Sequence, residues 1–392
     1  MKILSVITRA NPKMGGPIQG IRNWASVSDR IGFKMDVVTF EEPEDIQNWG
    51  FDKNLTIIPL GKHQTRFYYN KNLYPFLIEN IAKYDKILIH GLWLYHGFCV
   101  LKAIKWLSKN KPELILPKVY YIPHGMLDPW FQKEKKRLLK SIRNYIYWHT
   151  IEKNLVNNVS GLLFTCEEEL ILARTTFSGY NPKKEINIGY GISIPPENEL
   201  SFANAFDKII PSIKGQRFIL FLSRIDIKKG VDLLIESYVQ LSRENPDFPH
   251  LVIAGPKDSK YANKMISLSS KNPKIHFPGM LTGDAKWGSL YGCDAFILHS
   301  HQENFGIAVA EALACGKPVL ISNKVNIYRE IAEGSAGIIN EDTLEGINLT
   351  LNQWLNLNDE KKLEMGNAAF AVYKKHFTSK SAVLNLLRAL NS

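Results

Sequence analysis

The chain has 392 residues, 45% of them hydrophobic, which is enough to bury the cores of two ordinary domains. Its net charge of +11 comes from 49 Lys and Arg against 38 Asp and Glu, and no apolar run is long enough to predict a transmembrane helix. The four cysteines are widely spaced without a CxxC pair, which argues against a disulfide framework and favours reduced thiols in a cytoplasmic protein.

The first half of the chain predicts alternating strands and helices. A strand at residues 2–8, a helix at about residues 18–31 and a strand at residues 35–39 form an opening βαβ unit. Further apolar strands are expected at residues 55–60, 86–90, 118–122 and 161–165. This alternation is typical of a parallel sheet covered by helices.

Two loops of this half carry candidate ligand residues. Gly15 and Gly16 precede the first helix and would let the backbone approach a phosphate or an acceptor closely, although a plain tight turn explains them equally well. The loop is not a GxGxxG fingerprint, so a dinucleotide cofactor is not expected. His124 follows a buried strand, at the edge where open parallel sheets bind ligands, although a single histidine is more often a structural residue.

Basic residues are concentrated in residues 1–200, which contain 27 Lys and Arg and 19 Asp and Glu. The densest basic stretches are residues 101–118 and 131–153, and the second carries Leu138 and Ile142 at helical spacing. A basic amphipathic helix can lie on an anionic membrane surface. Alternatively, its apolar face packs on the sheet while the lysines are solvated. A nucleic-acid partner is not expected, because no recognised nucleic-acid module occurs.

The second half begins after a segment rich in glycine and proline. Residues 186–196 contain these glycines and prolines, and residues 201–215 show little hydrophobic periodicity. Together the two segments predict a linker. A second series of strands is expected at residues 218–222, 251–254, 275–277, 295–299 and 318–322. We therefore predict a first domain of residues 1–195 and a second of residues 196–374, each with a doubly wound parallel sheet.

Arg224 and Lys229 lie in the loop between the strand at residues 218–222 and a helix that begins at about Val231. Cations at the carboxyl end of a parallel strand are placed where open α/β sheets bind ligands. Arginine can fork onto phosphate oxygens, and lysine supplies a compact point charge. Taken alone, the two side chains would be typical of a solvated basic loop.

The most informative motif reads ENFGIAVAE. Glu303 precedes an alanine-rich helix, an Asn-Phe-Gly turn opens that helix, and Glu311 is expected about two turns inside it. The exposed N–H groups of the first turn and the positive end of the helix dipole favour phosphate oxygens. Carboxylates at such a site would accept hydrogen bonds from sugar or ribose hydroxyls. Without the other motifs, two solvated glutamates on an ordinary helix would explain this pattern.

The ordered set of motifs resembles the retaining family 4 glycosyltransferases of the GT-B fold. The set comprises the glycine-rich first loop, His-Gly, R…KG and the E-NFG-x4-E segment, and the resemblance covers essentially the whole chain. It implies two Rossmann-like domains facing across a cleft. The first would bind the acceptor, the second a nucleotide-sugar, and a helix at about residues 375–392 would pack back on the first.

The resemblance implies a role for each motif residue. Arg224 and Lys229 would bind the donor diphosphate, Glu303 the donor sugar hydroxyls and Glu311 the ribose hydroxyls. His124 would contact the donor sugar, and we take it with Arg224, Lys229 and Glu303 as the catalytic set. The other donor-binding residues expected are Gly15, Gly16, Gly255, Met280, Leu281, Asn304, Phe305, Gly306 and Ile307.

The implied reaction is transfer of a sugar from a UDP- or GDP-linked donor to a hydroxyl of a glycan or lipid-linked glycan, with retention at the anomeric carbon. No Asp-x-Asp occurs in the sequence, so positive side chains would replace a divalent metal, and no cofactor is expected. A role in cell-surface polysaccharide or glycolipid synthesis, at the inner face of the cytoplasmic membrane, fits the basic first half. The alternatives are a GT-B sugar-nucleotide epimerase and a non-catalytic nucleotide-sugar-binding protein.

Overall fold

A computed structural model describes residues 1–12, 15–47, 49, 55–134 and 137–392. Residues 135 and 136 of the predicted basic stretch therefore lie outside the described residues.

The chain forms two compact units. Unit 1 comprises residues 1–191 and 379–392, and unit 2 comprises residues 192–378. The predicted domain boundary after residue 195 lies close to this division. Among the described residues, which include all four cysteines, no disulfide forms. No helix in the described part of the chain combines the length and the apolar character needed to cross a bilayer.

Unit 1 contains a seven-stranded parallel sheet with the order β3-β2-β1-β4-β5-β6-β7. Its strands are β1 (Lys2–Val6), β2 (Lys34–Thr39), β3 (Leu55–Pro59), β4 (Lys86–His90), β5 (Lys118–Ile122), β6 (Gly161–Phe164) and β7 (Glu185–Asn187). Alternate strand residues enter two apolar clusters: Leu4 and Tyr121 belong to one, Ile3 and Tyr120 to the other. This pattern is expected of a parallel sheet that is buried on both faces.

Helices connect these strands. They are α1 (Gly16–Ile31), α2 (Pro43–Ile46), α3 (Leu73–Asn80), α4 (Tyr95–Asn110), α5 (Trp130–Lys133), α6 (Leu138–Tyr147), α7 (Lys153–Asn158) and α8 (Glu167–Ala173). Pro17 lies in the first turn of α1, where its missing N–H costs nothing, and Gly32 ends the helix with a left-handed φ of 83°. A π-helical turn, Trp148–Glu152, joins α6 to α7.

Unit 2 contains a six-stranded parallel sheet with the order β10-β9-β8-β11-β12-β13. Its strands are β8 (Phe218–Leu222), β9 (His250–Ala254), β10 (Ile275–Gly279), β11 (Ala295–Leu298), β12 (Val319–Ser322) and β13 (Gly337–Asn340). The chain order reverses between β8 and β11. This is a topological switch point, and ligands of open α/β sheets bind at the carboxyl ends of the strands on either side of it.

The helices of unit 2 include one that the sequence analysis missed. They are α9 (Leu200–Ile209), α10 (Val231–Glu244), α11 (Lys260–Ser269), α12 (Gly283–Gly292), α13 (Ile307–Ala314), α14 (Tyr328–Glu333), α15 (Leu344–Leu355) and α16 (Asp359–His376). The prediction that residues 201–215 form a linker is wrong. Phe202 and Phe206 are buried one turn apart on α9, and a Cβ at Gly288 of α12 would come within 2.0 Å of the Phe202 carbonyl oxygen.

The helix α17 (Ser379–Asn391) returns to unit 1 and packs on α1. Its Val383, Leu386 and Leu390 are fully buried in the cluster that holds Ile21 and Trp24 of α1. The predicted helix at residues 375–392 therefore begins at Ser379, because residues 375 and 376 still belong to α16.

Candidate active site

The candidate ligand residues of unit 2 lie at one edge of its sheet, because parallel strands share a direction. Arg224 and Lys229 follow β8, Gly255 follows β9, Met280 follows β10 and Glu303 follows β11. Since β8 and β11 are neighbours, the structure brings the two strongest motifs together at the switch point. Lys229 and Glu303, which are 74 residues apart in sequence, are in direct contact.

Lys229 and Glu303 form a buried ion pair, in which Lys229 Nζ donates to Glu303 Oε2. The side chain of Lys229 is only 4% exposed and that of Glu303 21%. Burial alone would raise the pKa of Glu303, but the charges of Lys229 and Lys228 and the backbone amide of Asn304 outweigh it and hold the pKa below its ordinary value. Glu303 is therefore ionised at neutral pH and can accept hydrogen bonds from hydroxyl groups.

The backbone of the Glu303 loop is held by the segment that follows β12. The amide of Glu303 donates to the Lys324 carbonyl oxygen at 2.9 Å, and the amide of Asn326 donates to the Glu303 carbonyl oxygen at 2.9 Å. Gly306 then adopts a left-handed φ of 76°, and a Cβ there would lie 3.3 Å from Glu303 Cγ. Glycine is thus needed both for this turn and for the position of the Glu303 side chain.

The helix α13 begins directly after this turn, at Ile307. Within the described residues no side chain caps its N-terminus, so the N–H groups of its first turn are available to anion oxygens. Phe305 is buried and packs edge-on against Phe377, with ring centroids 5.4 Å apart. The aromatic side chain therefore anchors the turn in the core, while Asn304, Gly306 and Ile307 place backbone at the helix tip.

Glu311 is paired with Lys286, a residue that the sequence analysis missed. Glu311 is the fifth residue of α13, so the expectation that it lies about two turns inside the helix is wrong. Its Oε1 accepts a hydrogen bond from Lys286 Nζ of α12 at 2.6 Å, and both side chains are largely buried. Lys286 also lies 4.5 Å from the ring centroid of Trp287. A hydroxyl ligand of Glu311 would share this carboxylate with Lys286.

Two glycines allow the loop that carries Arg224 to approach its neighbours. A Cβ at Gly255 would lie 2.1 Å from the Ser223 carbonyl oxygen, and a Cβ at Gly230 would lie 2.4 Å from that of His299. Backbone therefore packs directly on backbone at the ends of β8, β9 and β11. The Arg224 side chain, which follows Ser223 in this loop, is exposed to solvent.

The loop after β10 contributes two of the predicted donor-binding residues in different ways. Met280 is 55% exposed, whereas Leu281 is buried at 2% exposure. The amide of Gly255 donates to the Gly279 carbonyl oxygen at 2.9 Å, so this loop and the end of β9 are held side by side. At Leu281 only the backbone can contact a ligand, because the side chain is buried in the core.

In unit 1, the peptide after His124 is held by a buried carboxylate. His124 follows β5 with a left-handed φ of 51°, which is uncommon for a residue with a Cβ. The amide of Gly125 donates to Glu169 Oε1 at 2.5 Å, and the other carboxylate oxygen accepts from the amide and hydroxyl of Thr165. Glu169 therefore stabilises an unusual backbone at the end of β5.

His124 is also paired with His90, the last residue of β4. His90 Nδ1 and His124 Nε2 are 3.0 Å apart, and His90 Nε2 is 3.3 Å from Ser5 Oγ. Burial lowers the pKa of His124 to about 4; burial, His124 and His96 lower the pKa of His90 well below its ordinary value. Both rings are neutral at pH 7.

The roles of the ring nitrogens depend on the tautomer, and the tautomer proposed here is the one in which the Ser5 hydroxyl keeps its contact with Met35 Sδ. The Ser5 hydroxyl donates to Met35 Sδ at 3.5 Å, so His90 Nε2–H donates to Ser5 Oγ. His90 Nδ1 then accepts from His124 Nε2–H, which leaves His124 Nδ1 as a hydrogen-bond acceptor. His90 was missed, although the His90-Gly91 pair at the end of β4 resembles the His124-Gly125 pair after β5.

The first loop places its two glycines at the start of α1. Gly15 has a φ of 98°, which favours glycine, whereas a Cβ there would meet no atom within 4 Å. The backbone conformation, and not a lack of space, therefore explains the glycine at this position. Gly16 begins α1, and its carbonyl oxygen accepts a hydrogen bond from the Tyr190 hydroxyl at 2.6 Å.

Across the ranges that the structure describes, no three His, Cys, Asp or Glu side chains are close enough to hold a metal ion.

Residues 202–372 match the family model of the glycosyl transferases group 1. This match covers most of unit 2. The matched segment contains every predicted ligand residue of unit 2, from Arg224 to Glu311.

Known proteins resemble this chain in sequence and in fold. An uncharacterized glycosyltransferase of Methanocaldococcus jannaschii is 26% identical over 234 residues, which are 58% of this chain and 55% of that protein. The chain thus spans about half the length of that relative. Sucrose-phosphate synthase from Thermosynechococcus elongatus superimposes with a TM-score of 0.76 at 15% identity, covering 100% of this chain and 98% of the other. HepE of Anabaena, in complex with UDP and glucose, superimposes with a TM-score of 0.73 at 16% identity, covering 100% of both chains. The chain therefore has the predicted α/β fold of GT-B type, with two Rossmann-like parallel-sheet units.

Proposed function

We propose that the protein is a retaining glycosyltransferase, which moves a sugar from a UDP- or GDP-linked donor to a hydroxyl of a glycan or lipid-linked glycan. The observation that carries this proposal is the buried Lys229–Glu303 pair at the uncapped N-terminus of α13. Glu311 lies further along the same helix. The cation and the helix amides suit phosphate oxygens, whereas the two carboxylates suit the hydroxyls of a sugar and a ribose.

These groups stabilise the charge that develops as the sugar leaves the diphosphate. Arg224, Lys229 and the first-turn amides of α13 face the negative charge of the leaving group, and each such donor is typically worth about 3 kcal/mol. Glu303 is ionised, so it orients sugar hydroxyls by accepting their protons in hydrogen bonds. For His124 of unit 1, contact with the donor sugar stays a prediction. Retention requires the acceptor hydroxyl to approach the face from which the diphosphate departs.

The side chains that neutralise the diphosphate allow transfer without a divalent metal. The sequence contains no Asp-x-Asp, the pair of carboxylates that would hold such an ion, whereas Arg224 and Lys229 supply fixed positive charge. We expect the enzyme to remain active in excess EDTA. A complete loss of activity that magnesium restores would contradict this part of the proposal.

The acceptor is proposed to be part of a cell-surface polysaccharide or glycolipid, modified at the cytoplasmic face of the membrane. The basic excess of residues 1–200 supports an anionic, membrane-linked partner over a neutral small molecule.

A thermal-shift screen of UDP- and GDP-sugars tests the donor. A nucleotide at about 100 times its Kd should stabilise the folded protein by about 2.7 kcal/mol. Glu311→Gln should weaken that binding by about tenfold, because a hydrogen bond to a charged group is lost. Glu333→Gln, at a carboxylate that is 72% exposed on α14, is the matched control and should bind normally.

Product analysis then tests the reaction. With donor and acceptor together, NMR should show a glycoside with the anomeric configuration of the donor. A changed sugar-nucleotide formed without acceptor would indicate an epimerase, and donor binding without any product would indicate a non-catalytic binding protein. No stabilisation by any nucleotide would refute the proposed site itself.

A further inference from the structure

The helix α6 of unit 1 exposes its apolar side instead of burying it. Five large side chains along one stripe are between 49% and 84% exposed: Leu138, Leu139, Ile142, Tyr145 and Ile146. Asn144, by contrast, is 3% exposed and faces the interior. A surface helix ordinarily buries its apolar stripe and exposes its polar side. The expectation that this apolar face packs on the sheet is therefore wrong, and α6 needs another partner for it.

The helix α4 presents a second unusual face. Phe98 and Trp106 are 39% and 41% exposed, and Lys102, Lys105 and Lys109 are exposed between and beside them. These five positions follow the i, i+4, i+7, i+8, i+11 spacing of a single helical face. One side of α4 therefore presents both aromatic rings and lysines.

Aromatic contacts join the two faces into one surface. Tyr147 at the end of α6 lies 5.5 Å from Phe67, measured between ring centroids, and Phe67 lies 6.0 Å from Tyr95 at the start of α4. Tyr95 in turn lies 6.5 Å from Phe98. We call the exposed faces of α4 and α6, with these linking rings, the α4–α6 surface.

The charge of the α4–α6 surface has one sign. Neither α4 nor α6 contains an Asp or a Glu, whereas both carry exposed basic side chains. The exposed basic residues are Lys102, Lys105, Lys109, Lys140 and Arg143. Anionic partners are thus favoured and cationic ones repelled.

We propose that the α4–α6 surface binds to an anionic lipid membrane, with its apolar side chains among the acyl chains and its lysines at the headgroups. Contiguous exposed apolar side chains rimmed by polar ones often mark a membrane or protein interaction site. Protein–protein interfaces are depleted in lysine. At a membrane surface, however, lysine stems lie along apolar groups while their charges reach the headgroups, and aromatic rings are enriched at the same depth. The composition of the surface therefore favours lipid over a second copy of the chain.

This inference does not depend on the proposed glycosyl transfer, so the two can be tested separately. The full chain should sediment with vesicles of phosphatidylcholine and phosphatidylglycerol, and added salt should weaken its binding. Vesicles of phosphatidylcholine alone should bind it much less.

Substitutions identify the surface. Lys102→Gln with Lys105→Gln should weaken vesicle binding by about fivefold per lysine removed. Leu139→Asp with Ile146→Asp should abolish it, because a charge then replaces each inserted side chain. Leu363→Asp with Lys361→Gln is the matched control, since both residues are exposed on α16 of unit 2, and it should bind like the wild type.

Thermal unfolding and circular dichroism, measured on each variant, show that it is folded. Equal binding to neutral and anionic vesicles, or binding to neither, would overturn the proposal. So would a dimer in light scattering that Leu139→Asp dissociates, because the surface would then be an interface between copies of the chain.

Discussion

Replacing Lys229 by methionine should strongly destabilise unit 2. Methionine keeps the length of the side chain but removes the charge that compensates Glu303. Removing one partner of a buried ion pair costs about 3 to 5 kcal/mol. Because the Glu303 side chain is 21% exposed and keeps some access to water, we expect the lower end, about 3 kcal/mol.

A second substitution should reverse most of this loss. In Lys229→Met/Glu303→Gln both charges are gone, and a neutral amide replaces the stranded carboxylate. Neutral replacements of a buried ion pair are often tolerated, so the double variant should lie within about 1 kcal/mol of the wild type. The difference between the double variant and the sum of the single variants measures the coupling of the pair.

Scanning calorimetry is the assay. For a unit of 187 residues (378 − 191), a loss of 3 kcal/mol should lower the Tm of its transition by about 6 to 12 °C. Lys361→Met, at an exposed position of α16, is the control and should change the Tm by less than about 2 °C. A Lys229→Met transition close to that of the wild type, or a double variant as unstable as the summed single variants, would refute the reasoning.

Three further outcomes are expected. Gly255→Ala should reduce UDP or GDP binding at least tenfold, since its Cβ would displace the loop after β8; normal binding in a titration would show that the close approach is dispensable. Burial raises the pKa of Glu152 from 4.5 to about 7. Between these two pH values the folded state keeps the proton that the unfolded state has lost, so the free energy of unfolding should fall as the pH rises from 4.5 to about 7. Denaturant titrations should find this slope abolished in Glu152→Gln, and an unchanged slope would assign it to another group. His90→Phe removes the acceptor of His124 Nε2–H, so ¹⁵N NMR should show a changed tautomer population at His124; an unaltered spectrum would contradict the proton arrangement.

The sheets and the edge that carries the site could be predicted from the sequence. Apolar runs separated by helical segments define parallel strands, and parallel strands end at a common edge, so Arg224, Lys229 and Glu303 were correctly expected to follow strand ends. Their direct contact required the strand order, which places β8 beside β11. Periodicity alone does not specify that order.

Other features depend on packing that a single sequence does not reveal. Lys286 reaches Glu311 only because α12 lies beside α13, and its sequence neighbours carry no sign of this pair. The helix α9 is short, and its two buried phenylalanines were too few to distinguish a helix from a linker. The apolar stripe of α6 was recognised, but amphipathicity does not say which side of a helix faces solvent.

The return of α17 to unit 1 affects how the protein forms in the cell. Unit 2 is continuous in sequence, so its sheet can form as soon as residue 378 has left the ribosome. Unit 1 must leave the apolar side of α1 uncovered while those 187 residues (378 − 191) are translated, roughly 10 to 40 s at ordinary elongation rates. During that interval Ile21 and Trp24 lack the cover that Val383 and Leu390 later provide. This is the stage of biosynthesis at which nascent chains would be most prone to aggregate or to need a chaperone.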